Sequence, residues 1–227
     1  QCLVGSEMCI RDRLSYMNVH INVIGKENIP PEGRFIFASN HPLGALDGVA
    51  LIRFFGHFYS GKIKFLVNDL LMHIKPLAPV FLPINKYGSQ AKESSLQINN
   101  AYESDEQMLI FPAGLCSRLQ HGKIKDLEWK KTFIAKAVQS QRDIIPIYFE
   151  GRNSTFFYRF AQIRKCIGLK FNIELIYLPD EMFNSKNKTF DIYIGKPIPW
   201  QTFDKSKSLQ EWAQIVKEKV YQIKKDQ

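Results

Sequence analysis

The sequence has no apolar run approaching the ~20 residues that a membrane-spanning helix needs. Stretches such as residues 49–55 and 80–83 are far shorter, so no segment is expected to cross a bilayer. Cysteine is scarce: Cys2, Cys9, Cys116 and Cys166 show no metal-ligand spacing and are too few for a disulfide framework, which favours a reducing compartment. No His/Asp/Glu cluster offers three ligands at helical or hairpin spacing, so no metal centre is expected. A Gly-x-Ser-x-Gly elbow is missing, which disfavours a serine hydrolase of the α/β type. Also missing are Gly-x-Gly-x-x-Gly after a strand and a Gly-Lys-Ser/Thr phosphate loop, so no nucleotide cofactor is read out. SQAK, residues 89–92, fits a bare Ser-x-x-Lys pattern without its companion motifs and reads as a helix N-terminus. Cys116, beside Gly114, reads as small-residue packing rather than as a nucleophile.

What the chain does contain is an ordinary globular balance. Of 227 residues, 45% are hydrophobic and 23% charged, which suits one α/β domain with a sizeable core. Lys and Arg outnumber Asp and Glu by 31 to 22, a net charge of +9 that favours anionic partners such as lipid headgroups or phosphorylated substrates. No nucleic-acid-binding motif accompanies the charge, so nucleic acid is not an expected partner. The opening CLVGSEMCIRDR is similar to a peptide that arises when sequencing-adapter DNA is translated at the end of an assembled read. Residues 1–13 are therefore expected to be non-native, and 14–227 to form one domain lacking its natural N-terminus and any helix or anchor there.

Apolar alternation at Val19, Ile21 and Val23 predicts a half-exposed strand, closed by Gly25 and the turn-rich ENIPPEG as a hairpin-like unit. Beyond it, strands are predicted at 34–39, 62–68, 79–84, 107–111, 143–149 and 189–194. Helices are predicted at 46–58, 69–74, 88–104, 128–140, 153–167 and 208–224. Short apolar strands separated by helices imply a single α/β domain with a mixed, largely parallel sheet flanked by helices. Ligands of open α/β sheets bind at the C-terminal ends of strands. Two loops stand there: FASNHPLGALDG, residues 37–48, and IFPAGLCSR, residues 110–118.

In the first loop His41 leaves a strand and Asp47 falls near the first turn of a helix, where an anion is favoured. A carboxylate that meets an imidazole fixes its tautomer and stabilises its cation, which makes a general base. Gly44 and Gly48 permit tight turns, and Pro42 stiffens the exit from His41. The plainer alternative is a polar loop histidine bonded to a neighbour. His20, His57, His73 and His121 have no equally close-set acid; His121, in RLQHGKIK, at most helps to bind an anion.

Taken in order, Asn40-His41 with Asp47, FPAGLCSR at 111–118 and IIPIYFEGRNS at 144–154 resemble blocks of the lysophospholipid and glycerolipid acyltransferase superfamily. The resemblance covers roughly residues 18–200 and is narrower to the hemolysin-like bacterial branch. It implies a glycerolipid acyltransferase-like fold and an O-acyltransferase that moves a fatty acyl chain from an acyl-carrier-protein or coenzyme A thioester to a lyso-lipid hydroxyl. The acceptor would be lysophosphatidic acid-like or a lyso amino-acid lipid. The resemblance makes His41 the base, Asp47 its partner and Asn40 a neighbour in the substrate site. Five residues separate His41 from Asp47 where the common pattern has four, similar to an NHPxGxxDG variant. Phe111, Pro112 and Gly114 match a Phe-Pro-Glu-Gly-Thr-Arg block in which Ala113 replaces the glutamate. Arg118, seven positions after Phe111, is assigned to the acceptor headgroup with Arg152, and Pro146 to a strand lining the acyl site. Lys64 and Lys86 are stand-ins for a block without a clean counterpart. The implied reaction is direct transfer in a ternary complex, with no cofactor beyond the thioester co-substrate.

The segment 152–171, RNSTFFYRFAQIRKCIGLKF, supplies a candidate membrane contact. Phe156, Phe157, Phe160 and Ile163 would share one helical side, flanked by Arg159, Arg164, Lys165 and Lys170; the alternative packs those aromatics into the core. The membrane surface and its lipid acceptor are thus expected partners, and the cytoplasmic face of the membrane the expected, peripheral location. Altered His–Asp spacing and Ala113 keep a second class open, a catalytically silent membrane-binding protein of the same fold. That reading expects a His41 imidazole pointing into solvent with no route to Asp47, and no groove long enough for an acyl chain.

Overall fold

The computed structural model describes residues 16–68, 71–72, 74–84, 90–169 and 171–225. Seven strands among them form one sheet: β1 (His20–Ile24), β2 (Phe35–Ser39), β3 (Ile63–Val67), β4 (Phe81–Pro83), β5 (Gln107–Ile110), β8 (Asp143–Phe149) and β9 (Thr189–Ile194). Their spatial order is β1-β9-β8-β2-β5-β3-β4, parallel throughout except where β8 meets β9. The central strands are the most continuously apolar; every residue of β2 is buried, as expected of a strand covered on both faces. Side chains alternate across the sheet. Phe35 and Phe37 pack with Leu51, Phe55 and Phe65 on one face, and Ile36 and Ala38 with Met108, Trp129 and Val216 on the other.

Helix α1 (Leu46–Phe58) supplies the first layer. Helices α2 (Gln90–Glu103), α3 (Thr132–Ser140) and α6 (Leu209–Gln222) contribute to the second. Ser208 starts α6 by accepting from the Glu211 backbone N–H while the Glu211 carboxylate accepts from that of Ser208, a reciprocal cap. Buried Arg142 donates to the carbonyls of Ala101, Tyr102, Ser104 and Glu106, satisfying the end of α2.

The mixed, largely parallel sheet agrees with expectation, and three details differ. The half-exposed first strand forms no hairpin; β1 pairs in parallel with β9, Asn22 opposite Asp191. RLQHGKIK, read as a loop, is a hairpin of β6 (Arg118–Gln120) and β7 (Lys123–Lys125). His121 and Gly122 both take positive φ, the backbone that a two-residue hairpin turn requires. Residues 128–131, included in a predicted helix, precede α3, and Trp129 there is fully buried. The predicted helix at 69–74 falls partly, and residues 1–13, Lys86, Ser89 and Lys170 fall wholly, outside the described residues.

Candidate active site

β2 and β5 are adjacent, Ala38 opposite Ile110, so the two loops leave the sheet side by side. The His41 ring consequently stacks on Phe111, centroids 3.8 Å apart and planes 17° from parallel. Its Nδ1 lies 2.9 Å from Asp47 Oδ2. Asp47 is fully buried in the first turn of α1, and the backbone wraps around it. Leu43 N and Gly44 N donate to Oδ2 at 2.9 and 3.3 Å, and Gly48 N to Oδ1 at 2.9 Å. The five-residue spacing is accommodated at Gly44, whose φ of +83° lies where glycine is favoured. Burial pushes the Asp47 carboxyl up, but the His41 charge, its hydrogen bond and the backbone donors outweigh that and hold it below its ordinary value. An ionised Asp47 makes Nδ1 the protonated ring nitrogen and leaves Nε2 as the proton acceptor. The 2.9 Å contact runs against the first feature expected of a silent protein, an imidazole without a route to Asp47.

Sequence reasoning missed Asp126. Its Oδ1 accepts from His41 N at 3.2 Å and Ser117 Oγ at 2.6 Å, and its Oδ2 from Trp129 Nε1 at 2.9 Å. The Asp126 N–H donates to Tyr221 Oη at 2.8 Å, and Lys217 Nζ donates to the Asp126 and Leu127 carbonyls, each at 2.9 Å. Asp47 thus holds the ring of His41, and Asp126 its backbone. The signal that leads to Asp126 is His-Gly between RLQ and KIK, which folds the chain back on itself.

The remaining candidates are placed as follows. Asn40 is buried, its Nδ2 donating to Phe149 O at 2.9 Å and its Oδ1 accepting from Phe149 N at 2.6 Å; it ties the end of β2 to that of β8. Gly114 turns the chain at φ +69°, its N–H bonded to Phe111 O. Arg118 donates to Glu174 Oε1 and to the Cys116 carbonyl, both at 2.8 Å. Pro146 is buried within β8, paired with Ala38 and contacted by Gly195. Arg152 is exposed, its Nη2 donating to Thr155 Oγ1 at 3.3 Å. Lys64 donates to Pro79 O at 2.9 Å and pairs with Glu106 at 3.3 Å. Cys116 is buried, and burial raises its thiol pKa, the opposite of a primed nucleophile.

The family described as Acyltransferase matches residues 7–227. The chain belongs to the acyltransferase family. It is 54% identical over 210 residues to a lyso-glycine lipid O-acyltransferase of Bacteroides thetaiotaomicron, covering 92% of this chain and 77% of that protein. It is 51% identical over 210 residues to a protein of the same name from Phocaeicola vulgatus, covering 92% and 75%. The crystal structure of the 1-acyl-sn-glycerophosphate (LPA) acyltransferase PlsC from Thermotoga maritima has the same fold, with TM-score 0.60, 18% identity, and coverage of 98% of this chain and 79% of that one.

In this acyltransferase, residues 153–169 and 171–183 form a cap over the His41 loop: α4 (Thr155–Cys166), a 3-10 turn (Ile173–Tyr177) and α5 (Leu178–Phe183). Asn153 Nδ2 donates to Leu43 O at 3.3 Å. A Cβ on Gly44 would lie 2.8 Å from Leu178 Cδ2, so the glycine also admits the cap. Phe157 is fully buried beside Tyr158 and Cys116, which corrects its placement on a shared outer side with Phe156 and Ile163. Those two are exposed, as are Ile167, Phe171 (82%), Ile176 (73%) and Phe183. No helix among the described residues is long and apolar enough to cross a membrane.

Proposed function

We propose that this acyltransferase esterifies the hydroxyl of a lyso amino-acid lipid, a lyso-glycine lipid in the first instance, using a fatty acyl thioester of an acyl-carrier protein or coenzyme A. The observation that carries the mechanism is the His41 Nδ1–Asp47 Oδ2 contact of 2.9 Å. His41 Nε2 takes the acceptor hydroxyl proton, the oxygen adds to the thioester carbonyl, and the carbon–sulfur bond breaks. The departing thiolate receives the proton back from the imidazolium, so no acyl-enzyme forms. Exposed Arg152, and Arg118 sharing its guanidinium with Glu174, supply planar donors for the acceptor carboxylate. The exposed apolar side chains of the cap, beside Arg159 and Lys165, favour a peripheral position on the cytoplasmic face of the membrane.

The two relatives at 54% and 51% identity support an amino-acid acceptor over a phosphate-bearing one. The test is acyl transfer to lyso-glycine lipid and to lysophosphatidic acid in mixed micelles, comparing wild type with His41→Ala. Wild type is expected to prefer the glycine lipid. His41→Ala is expected to lose ~10²–10⁴ of the rate while remaining folded, with a lowered melt because buried Asp47 loses its partner. A variant within about threefold of wild type, well short of that range, removes the mechanism.

A further inference from the structure

Helix α6 and strand β7 meet in a cavity of about 290 Å³, lined by Lys125, Gln214, Lys217, Glu218, Tyr221 and Lys225 among others. That volume falls below the ~300–1,000 Å³ of whole small-molecule sites and suits a compact group. Three lysines against one carboxylate make it basic, and none of the large exposed apolar side chains of the cap lines it. A lipid tail has nothing to bury there.

The cavity wall is continuous with the support of His41. Lys217 Nζ donates to the carbonyls of Asp126 and Leu127, which leaves one of its three N–H donors for a ligand. Tyr221 Oη accepts from the N–H of Asp126, whose carboxylate holds the His41 backbone. Lys125 Nζ lies 5.9 Å from the Tyr221 ring centroid. Burial lowers the Lys217 pKa, Asp126, Glu128 and Glu218 work against this, and Lys125 adds to it; a bound anion would offset both the cost of burial and the repulsion.

We infer that this cavity holds the phosphate of the phosphopantetheine arm on which the acyl donor carries its thioester. Coenzyme A and acyl-carrier protein both present their thiol on that arm, and its phosphate is the anion common to the two. The inference rests on the acyl-transfer reading above and gives the site two sides. An apolar cap meets the lipid acceptor, and a basic cavity behind the His41 backbone meets the water-soluble donor.

The test uses the double variant Lys125→Ala/Lys225→Ala, in which both residues are exposed and neither touches His41. KM for the thioester is measured with acyl-coenzyme A, with acyl-carrier protein and with an acyl N-acetylcysteamine thioester that has no phosphate. The variant is expected to raise KM about tenfold for whichever phosphate-bearing donor wild type uses. Acceptor KM, and transfer from the phosphate-free thioester, are expected to stay at wild-type values. The donor that shows the shift names the source of the phosphate. Equal KM values in variant and wild type, or an equal loss with the phosphate-free thioester, overturn the inference. If wild type transfers no acyl group, the proposed reaction fails instead, and titration with 4′-phosphopantetheine against pantetheine still decides the cavity. Preference for the phosphorylated compound that is lost in the variant supports it, and no preference overturns it.

Discussion

Two buried carboxylates hold His41, and their surroundings push them in opposite directions. Asp47 is held below its ordinary value of 3.8, so its contribution to stability is complete above that value and is lost as pH falls through the lowered one. Burial raises Asp126 above 3.8, outweighing the donors from Ser117, Trp129 and His41. Its folded form therefore binds the proton more tightly than the unfolded chain, and stability is lost as pH rises from 3.8 through the raised value. Thermal melts against pH should separate the two. The stability gap between wild type and Asp47→Asn is expected to be constant near neutrality and to narrow below about pH 3.8. The gap for Asp126→Asn is expected to widen as pH falls toward 3.8, because only wild type carries the charge penalty at higher pH. Asp126→Asn also turns an amide N–H toward Trp129 Nε1, a buried mismatch of about 1–3 kcal/mol. Parallel trends in the two gaps would contradict the assignment.

At the scale of elements, Glu174 ties three pieces together. Fully buried, it lies 2.8 Å from Arg118 on β6 and 2.8 Å from Arg164 on α4, while itself standing in the 3-10 turn. The Arg164 contact is close but lacks hydrogen-bond alignment, so Arg118 is the better-oriented partner. Arg118→Ala is expected to cost about 3–5 kcal/mol by leaving a buried charge under-paired, and Glu174→Gln in the same chain should restore part of it. Urea unfolding measures both; an Arg118→Ala protein as stable as wild type would show that the bridge is not structural. Little of this was legible in the sequence. Strands 34–39, 107–111 and 143–149 announce themselves as continuous apolar runs, and His41 with Asp47 lies within one turn, so local spacing reveals them. Glu174 sits inside the apolar NIELIY, and its partner Arg118 is 56 residues away. The strands of the β6–β7 hairpin are too short for alternation to register. Trp129 mimics helical periodicity at 128–140, yet its indole is fixed on Asp126 ahead of the helix.

For the molecule as a whole, the proposed membrane position would draw on two different forces, the charge of +9 and the exposed apolar cap. Sedimentation with anionic vesicles is expected to fall as salt rises, because headgroup attraction is screened beyond about a Debye length. Phe171→Ser/Ile176→Ser should weaken vesicle binding without changing the melt, since both side chains are exposed; undiminished binding would exclude the cap as the contact. The pairing of β1 with β9 bears on how the molecule is made. Asn22 meets Asp191, 169 positions further along the chain, so at synthesis rates of ~5–20 residues per second the first strand waits roughly ten to thirty seconds for its neighbour. Strands β2, β3, β4, β5 and β8 can assemble meanwhile, while β1 remains an open edge available to other nascent chains. Substitutions in β1 should therefore show themselves in the yield of soluble protein during translation before they show in the equilibrium stability of the finished fold.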